Sequence, residues 1–256
     1  MRRFLFTIGH KTLTAINQMG DMTIMLISAL SWAFIPPLRI RNIFKQMEFI
    51  GVKSIFIVIL TGLFTGGVLA LQSSYAFRKF GGESLLGATV ALSMTRELGP
   101  VLTALMVTGR AGSAIAAELG TMRVTEQIDA LAVMAINPVK YLVVPRIIAG
   151  ILVVPILTVI ADFVGIVGGY IIGVGLLKIN PGIFMAKMIE MVELSDIFNG
   201  LFKSVCFGLL LTLIGCYKGY HTRGGAEGVG RATTEAVVVS SVSILVVDYI
   251  LTSLLF

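Results

Sequence analysis

The chain has 256 residues, of which 56% are hydrophobic and 13% are charged, whereas a soluble domain usually carries about a quarter charged residues. Together with several long apolar runs, this composition excludes an ordinary soluble domain and predicts a polytopic membrane protein with about five spans. The net charge of +6 does not indicate a nucleic-acid partner, because basic residues of membrane proteins collect on the cytoplasmic side.

The first 53 residues are predicted to lie at the cytoplasmic surface of the membrane. Residues 22–35 are apolar, but this run of 14 residues is shorter than the about 20 that a membrane-spanning helix needs. Basic residues flank the run, and Pro36-Pro37 ends it. We expect an interfacial helix with Trp32 near the headgroups; a short first span is the alternative. Residues 54–256 are predicted to form five transmembrane helices, which makes 1–256 a single all-α domain.

The first clear span is residues 54–77, which carry no charge over 24 residues. Gly62 and Gly66 have the four-residue spacing that lets transmembrane helices approach closely. Four further residues share a helix face that continues beyond the end of the span: Leu69, Ala76, Phe77 and Phe80. This face is either ordinary helix packing or a wall for an acyl chain.

The second span, at residues 84–108, carries charges near its middle. Arg96 and Glu97 separate two uncharged stretches of 12 residues. A charge at mid-membrane costs about 2.5–3.5 kcal/mol, so these side chains should face protein or a cavity. Adjacent helical residues point about 100° apart, so each needs a partner of its own. Pro100 cannot donate to the Arg96 carbonyl. The pair is either a brace between helices or a polar point in a transport cavity.

The segment after the second span is predicted to leave the membrane and to form an amphipathic helix at about residues 125–136. Glu126 and Asp129 lie in its first turn, where the helix dipole favours acidic residues. Its apolar stripe consists of Ile128, Leu131, Ala132 and Ala135. Asn137-Pro138 is expected to end it. The helix either rests on the membrane or inserts into a partner protein.

Three more spans are predicted in the rest of the chain, at residues 141–177, 199–217 and 236–256. Between the first two of these, Asn180 is expected to cap a helix that begins at Pro181 and runs to about residue 194. This helix is predicted to lie on the outer face of the membrane.

Three charged residues accompany these spans. Lys203, near the start of the fourth span, is expected to extend its side chain toward the membrane surface. Asp162 and Asp248 interrupt the third and fifth spans, and we interpret Asp248 as a helix brace rather than a proton carrier. A polar, glycine-rich loop is expected at 218–235.

The distribution of Lys and Arg predicts the orientation of the chain. The segments predicted to be cytoplasmic carry 14 of these residues, whereas the outer turns and their edges carry 5. Basic residues favour the cytoplasmic side, so we expect the N-terminus in the cytoplasm and the C-terminus outside. This orientation places the amphipathic helix in the cytoplasm.

The sequence contains no catalytic or nucleotide-binding motif that we can identify. It lacks a GxxxxGK[ST] phosphate loop, HExxH, GxSxG and any Cys/His cluster, so an enzyme is not expected. From the residues alone, a permease energised by a partner and an ion- or proton-coupled carrier are equally supported. The carrier would use Glu97, Asp162 and Asp248 as relay carboxylates. A structural scaffold is the third possibility.

Three stretches carry a resemblance to a known family. They read ALSMTRELGPVLTALMVTGRAGSAIAAELGTMRVTEQIDAL from residue 91, NPVKYLVVPR from residue 137 and GRATTEAVVVSS from residue 230. With these stretches the chain resembles the MlaE-type permease family, the membrane subunits of ABC systems that work with MCE-domain lipid-binding proteins. The resemblance covers nearly the whole chain.

This resemblance implies a multi-pass protein of the bacterial inner membrane that takes part in outer-membrane lipid asymmetry. Two copies would form a dimer around a phospholipid cavity. A separate cytoplasmic ATPase subunit would bind ATP, so no cofactor is expected in this chain. A periplasmic MCE-domain protein would exchange phospholipid with the membrane through the permease.

The resemblance also implies roles for particular residues. Arg96 and Glu97 match the family's intramembrane polar pair and would belong to the lipid cavity, together with the face that contains Leu69, Ala76, Phe77 and Phe80. The helix after the second span would dock the ATPase. The residues expected to couple to it are Arg123, Glu126, Gln127, Asp129 and Leu131.

Overall fold

The computed structural model describes residues 2–36 and 39–255, which form helices joined by turns. Helix α1 (Arg2–Ala33) and helix α2 (Ile40–Ile50) come first. The apolar run at 22–35, predicted as a helix of its own, is instead the end of α1, because no proline interrupts the residues before it. Pro37, the second proline of the expected break, lies outside the described residues.

The remaining helices contain the membrane spans. In chain order they are α3 (Ile55–Arg78), α4 (Glu83–Val124), α5 (Gln127–Val133), α6 (Val139–Leu176), α7 (Pro181–Met191), α8 (Leu194–Tyr220) and α9 (Gly225–Leu255). Five stretches of the described residues are long and apolar enough to cross a membrane, and they contain α3, α4, α6, α8 and α9. The prediction of an all-α membrane protein with an N-terminal helix before five spans is confirmed. Phe256, the predicted end of the last span, lies outside the described residues.

Helix α4 extends well beyond the predicted second span, because it continues without a break to Val124. Its backbone widens into π-helical turns at Met94–Leu98 and Thr108–Gly112. Such turns are frequent at functional sites, and the first one holds Arg96 and Glu97. The extension after the second turn packs against α8 and α9.

The loop predicted at 218–235 is mostly helical, so that prediction is wrong. Helix α8 continues to Tyr220 and α9 begins at Gly225, which leaves residues 221–224 as the connection. The rest of the expected loop contains no proline, and glycine lowers helix propensity without preventing a helix that packs well. Gly224 and Gly225 adopt positive φ angles of 94° and 66° at the turn itself.

Helices α3 and α6 pack closely through small residues, as the glycine spacing predicts. A Cβ atom at Gly62 would lie 2.9 Å from the carbonyl oxygen of Ala161, and one at Gly66 would overlap the carbonyl of Gly165. Helix α6 also packs against α8, and α8 contacts α4 and α9. Helices α4, α8 and α9 therefore meet in the bundle, which brings the polar residues of their spans together.

Helix α7 packs against the first turns of α4. The side-chain oxygen of Asn180 accepts hydrogen bonds from the N–H groups of Gly182 at 2.8 Å and Ile183 at 3.4 Å, so the predicted cap is confirmed. Phe184, fully buried, anchors α7 to the bundle.

Candidate functional site

Lys203 of α8 is the centre of a charged cluster inside the bundle. Its side chain is fully buried, and its Nζ atom lies 2.6 Å from Glu97 Oε2 and 3.2 Å from Asp248 Oδ1. Glu97 belongs to α4 and Asp248 to α9, so one cation joins carboxylates from two other helices. Lys203 is about 14 Å along the helix from Leu194, which places the cluster at membrane depth.

Hydrogen bonds complete the coordination of the Lys203 ammonium group. In addition to Glu97, it donates to Thr252 Oγ1 at 2.7 Å and to the Arg96 carbonyl at 3.2 Å. The Thr252 hydroxyl lies 3.3 Å from both carboxylate oxygens of Glu97. An ammonium group has three donors, and each of them has an acceptor here, as a charge buried away from water requires.

The proline in α4 explains why the Arg96 carbonyl needs a donor from another helix. Pro100 has no N–H group to offer to the carbonyl four residues before it. Lys203 donates to that oxygen. The proline, the π-helical turn and the buried ammonium group are therefore parts of one arrangement.

Arg96 has a different partner from Glu97. Its Nε atom lies 3.6 Å from Asp196 Oδ1 in the first turn of α8. The other Asp196 oxygen accepts the Glu193 N–H at 3.1 Å and so caps α8. The prediction that Arg96 and Glu97 need separate partners is confirmed, and α8 supplies both. A hollow of about 400 Å³ opens beside Arg96 and Asp196.

The cluster combines charges of both signs. Lys203 and Arg96 are cations, whereas the acidic members are Glu97, Asp196 and Asp248. The carboxylates exceed the cations by one, so the cluster is balanced to within a single charge. Lys203 is buried and fully engaged, so the charges that remain accessible to a polar group are Arg96, 34% exposed, and Glu97, 36% exposed.

Sequence reasoning missed Lys203 as a site residue. It was expected to extend toward the membrane surface, but its side chain is fully buried, because the carboxylates of two neighbouring spans draw it inward. The signal was available, since the second and fifth spans carry acids at membrane depth that need a cation. Asp196 and Thr252 were also missed. The interpretation of Asp248 as a helix brace agrees with its contact to Lys203.

The four residues predicted to form an acyl-chain wall lie in the second half of α3 and in the turn after it. Leu69 lines a hollow of about 300 Å³ together with Leu98, the residue after Glu97. Phe77 packs against a second apolar cluster. Ala76 is exposed, and Phe80 is 87% exposed in the turn after α3. Within a single chain, Leu69 is the member of this set beside the charged turn.

Asp162 of α6 stands apart from the cluster. Its carboxyl group packs against Gly99, and its Oδ1 atom has no hydrogen-bond partner among the described residues. Within residues 2–36 and 39–255, no hydrogen bond or ion pair connects Asp162 with Glu97 or Asp248. The three carboxylates therefore do not form a continuous relay.

The segment between α4 and α6 has a buried side and an exposed apolar side. Ile128 of α5 is fully buried, and Leu131 packs against the same core. Val133 is 88% exposed and Met134 61% exposed. Val133 and Met134 therefore form a small exposed apolar surface outside the apolar spans.

Polar contacts hold the start of this segment. Arg123 Nη1 lies 2.5 Å from Asp129 Oδ1. Gln127 Nε2 donates to Thr125 Oγ1 at 3.1 Å. Glu126 has a φ of 60° and immediately precedes α5, so it lies outside the first turn in which it was predicted.

Helix α5 is shorter than the predicted helix at 125–136 and ends at Val133. Ala135 adopts a φ of 58°, and the Ile136 N–H donates to the Leu131 carbonyl at 3.0 Å, as in a Schellman termination. Asn137 does not end this helix. Its side-chain oxygen accepts from the N–H groups of Val139 and Lys140, so it caps the start of α6.

Comparisons with known proteins agree with this architecture. The family model described as Permease MlaE matches residues 43–254. A probable ABC transporter permease protein of Rickettsia bellii is 46% identical over 250 residues, which cover 98% of this chain and 96% of that protein.

Two further relatives bear names that are more specific. The intermembrane phospholipid transport system permease protein MlaE of Haemophilus influenzae is 40% identical over 258 residues, covering 99% of this chain and 97% of that protein. The chloroplastic protein TRIGALACTOSYLDIACYLGLYCEROL 1 of Arabidopsis thaliana is 40% identical over 216 residues, covering 84% of this chain and 62% of that protein. With a family match over most of its length and near full-length relatives at this identity, the chain belongs to the MlaE permease family and is a permease subunit.

Proposed function

We propose that this chain is the permease subunit of an ABC-type lipid transporter that moves phospholipid between the bacterial inner membrane and a periplasmic MCE-domain protein. Residues 1–256 act as one permease domain, and two copies form a dimer. A separate ATPase subunit binds ATP and supplies the energy, so the chain itself uses no cofactor. The name of the Haemophilus relative supports phospholipid as the cargo.

The observation that carries this proposal is the cluster around Lys203. A phospholipid has apolar tails and a charged headgroup, so its path needs apolar walls with a few polar points. Arg96 and Glu97, each about a third exposed and held in place by Asp196 and Lys203, supply polar points of both signs at membrane depth. The hollow lined by Leu69 and by Leu98, the residue after Glu97, supplies apolar surface.

The exposed apolar side of α5 supports a separate energy source. Val133 and Met134 are exposed and lie in the segment that the distribution of basic residues predicts to be cytoplasmic. A short helix with exposed apolar residues is suited to insertion into a groove of a partner protein. We therefore propose the surface formed by Val133 and Met134, supported by the Arg123–Asp129 ion pair, as the ATPase-docking surface.

The alternative, an ion- or proton-coupled carrier, has less support. Its relay would have to pass between Glu97, Asp162 and Asp248. A fully buried lysine holds the first and the last of these in ion pairs, while Asp162 faces Gly99. This arrangement favours a fixed polar site over a proton path.

A phospholipid that carries a photoreactive group on its headgroup tests the proposed path. At mid-membrane depth, bulk lipid presents acyl chains, so headgroup labelling there requires a lipid held in the protein. We expect peptides containing residues 94–98 to be labelled, with mass spectrometry of the digested protein as the readout. Phe163 serves as the control, because it is 68% exposed and follows Asp162, which packs against Gly99 at the same depth. Equal headgroup labelling at both places, or none at 94–98, would contradict the proposed path.

A further inference from the structure

A second cavity, which shares no residue with the Lys203 cluster, lies where the N-terminal helices meet the start of α6. It has a volume of about 320 Å³, within the range of small-ligand pockets. Trp32 at the end of α1 and Arg39 before α2 line one side. Lys140 and Tyr141 in the first turn of α6 line the other, next to Asn137. The cavity thus lies on the membrane side that carries α5.

The charges that line this cavity are both positive. Arg39 and Lys140 form no ion pair with any carboxylate among the described residues. The Lys140 ammonium group has a weaker neutral partner, the Pro36 carbonyl at 3.4 Å. The side-chain oxygen of Asn137 is engaged with backbone N–H groups, so its NH2 group is the end that can donate to a ligand. These groups together suit an anion.

Each cation is also held over an aromatic ring. The Arg39 guanidinium carbon lies 4.4 Å from the centre of the Tyr141 ring, and Lys140 Nζ lies 5.2 Å from the centre of the Trp32 ring. These cation–π contacts fix the two positive groups at the cavity without neutralising them. A pair of ordered and uncompensated cations is a built anion site rather than a loose surface charge.

The surroundings of the cavity indicate that the anion belongs to a lipid. Phe34 just after α1, Ile40 at the start of α2 and Phe44 within α2 expose large apolar side chains. A free phosphate ion would gain nothing from this apolar surface, whereas the acyl chains of a lipid would cover it. Tryptophan and basic residues are also the types that anchor proteins at lipid headgroups.

We infer that this cavity, defined by Trp32, Arg39, Asn137, Lys140 and Tyr141, binds the phosphate of an anionic phospholipid in the membrane leaflet next to α5. The bound lipid ties the end of α1 and the start of α2 to the start of α6. The site is separate from the Lys203 cluster, and the inference does not depend on the proposed transport path.

The protein carries its own probe for this site, because Trp32 is the single tryptophan of the chain. The full chain is placed in nanodiscs of phosphatidylcholine that contain an equal mole fraction of brominated phosphatidylglycerol or brominated phosphatidylcholine. Bromine quenches tryptophan fluorescence at short range. We expect brominated phosphatidylglycerol to quench Trp32 at several-fold lower mole fraction than brominated phosphatidylcholine.

Matched variants separate a site from diffuse attraction. Arg39→Gln with Lys140→Gln is expected to weaken the preference for the anionic lipid by about tenfold or more, since it removes charged hydrogen-bond donors to the phosphate. Arg41→Gln with Lys45→Gln removes the same charge from exposed positions of α2 outside the cavity, and it should largely keep the preference. Size-exclusion profiles show whether both double variants remain folded, and lipid adducts counted by native mass spectrometry provide a second readout.

Three results would overturn the inference. Equal quenching by the two brominated lipids in the unaltered chain would show that no anionic lipid is preferred. Equal losses in the two double variants would show diffuse attraction. A shift of Trp32 emission by soluble inorganic phosphate in pure phosphatidylcholine nanodiscs would assign the cavity to a free anion. If no lipid preference exists and Arg39→Gln with Lys140→Gln instead loses the ATPase subunit, the cavity is part of a protein interface.

Discussion

Replacing Lys203 with methionine is expected to abolish phospholipid transport and to destabilise the protein strongly. Methionine fills a similar volume but leaves Glu97 and Asp248 at membrane depth without their shared cation. Breaking a buried ion pair by removing one partner typically costs about 3–5 kcal/mol. The loss is measured as a fall in the thermal stability of the purified protein in detergent. Lys187→Met is the control, because Lys187 pairs with Glu190 on the exposed side of α7.

A triple variant separates the structural role of the cluster from its role in transport. Lys203→Met combined with Glu97→Gln and Asp248→Asn removes all three charges and should regain most of the lost stability. Transport should remain absent, because the negative charge that Glu97 offers to the headgroup is gone. If the triple variant transports phospholipid as well as the unaltered chain, the cluster is only a brace and the proposed path is wrong.

Making the exposed face of α5 polar is expected to release the ATPase subunit. Val133→Asp with Met134→Asp alters two apolar side chains that make little contact within the chain. Burial of such side chains in a partner contributes about 1.5–3 kcal/mol each, so binding should weaken roughly 100-fold or more. The measurement is retention of the ATPase subunit when the two proteins are expressed together and purified through a tag on this chain.

Thr121→Asp is the control for added negative charge, because Thr121 is exposed in the last turns of α4. It should retain the ATPase. Asp129→Lys removes the exposed ion pair with Arg123 and should have a smaller effect than the double variant, since such pairs contribute about 1 kcal/mol or less. Full retention of the ATPase by the Val133 and Met134 variant would show that docking occurs elsewhere.

The sequence predicted the spans well and the ends of helices poorly, for a physical reason. Polar groups are costly in lipid, so membrane spans must be long apolar runs, and all five could be located from the sequence. Helix ends depend on local backbone geometry. The sequence predicts the end of this helix at Asn137-Pro138, but Asn137 caps α6. Helix α5 ends at Val133, and Ala135 after it adopts a positive φ angle that usually requires glycine.

The candidate site shows the same division between local and long-range information. Arg96 and Glu97 could be identified because a charge at mid-membrane is costly however the helices pack. Their partners could not be assigned, because Asp196, Lys203 and Asp248 come from helices whose packing and rotation the residue pattern does not specify. Lys203 illustrates the difficulty, since a lysine near a span end usually reaches the surface and this one turns inward.

Transfer of a fluorescent phospholipid tests the central claim most directly. Proteoliposomes would contain this chain and its ATPase subunit, with the MCE-domain protein as the lipid partner. The proposal predicts transfer that requires ATP hydrolysis, persists when an ionophore collapses the proton gradient, and is lost in Lys203→Met. Transfer that needs no ATPase and stops when the proton gradient is collapsed would contradict it and would establish the ion-coupled carrier instead.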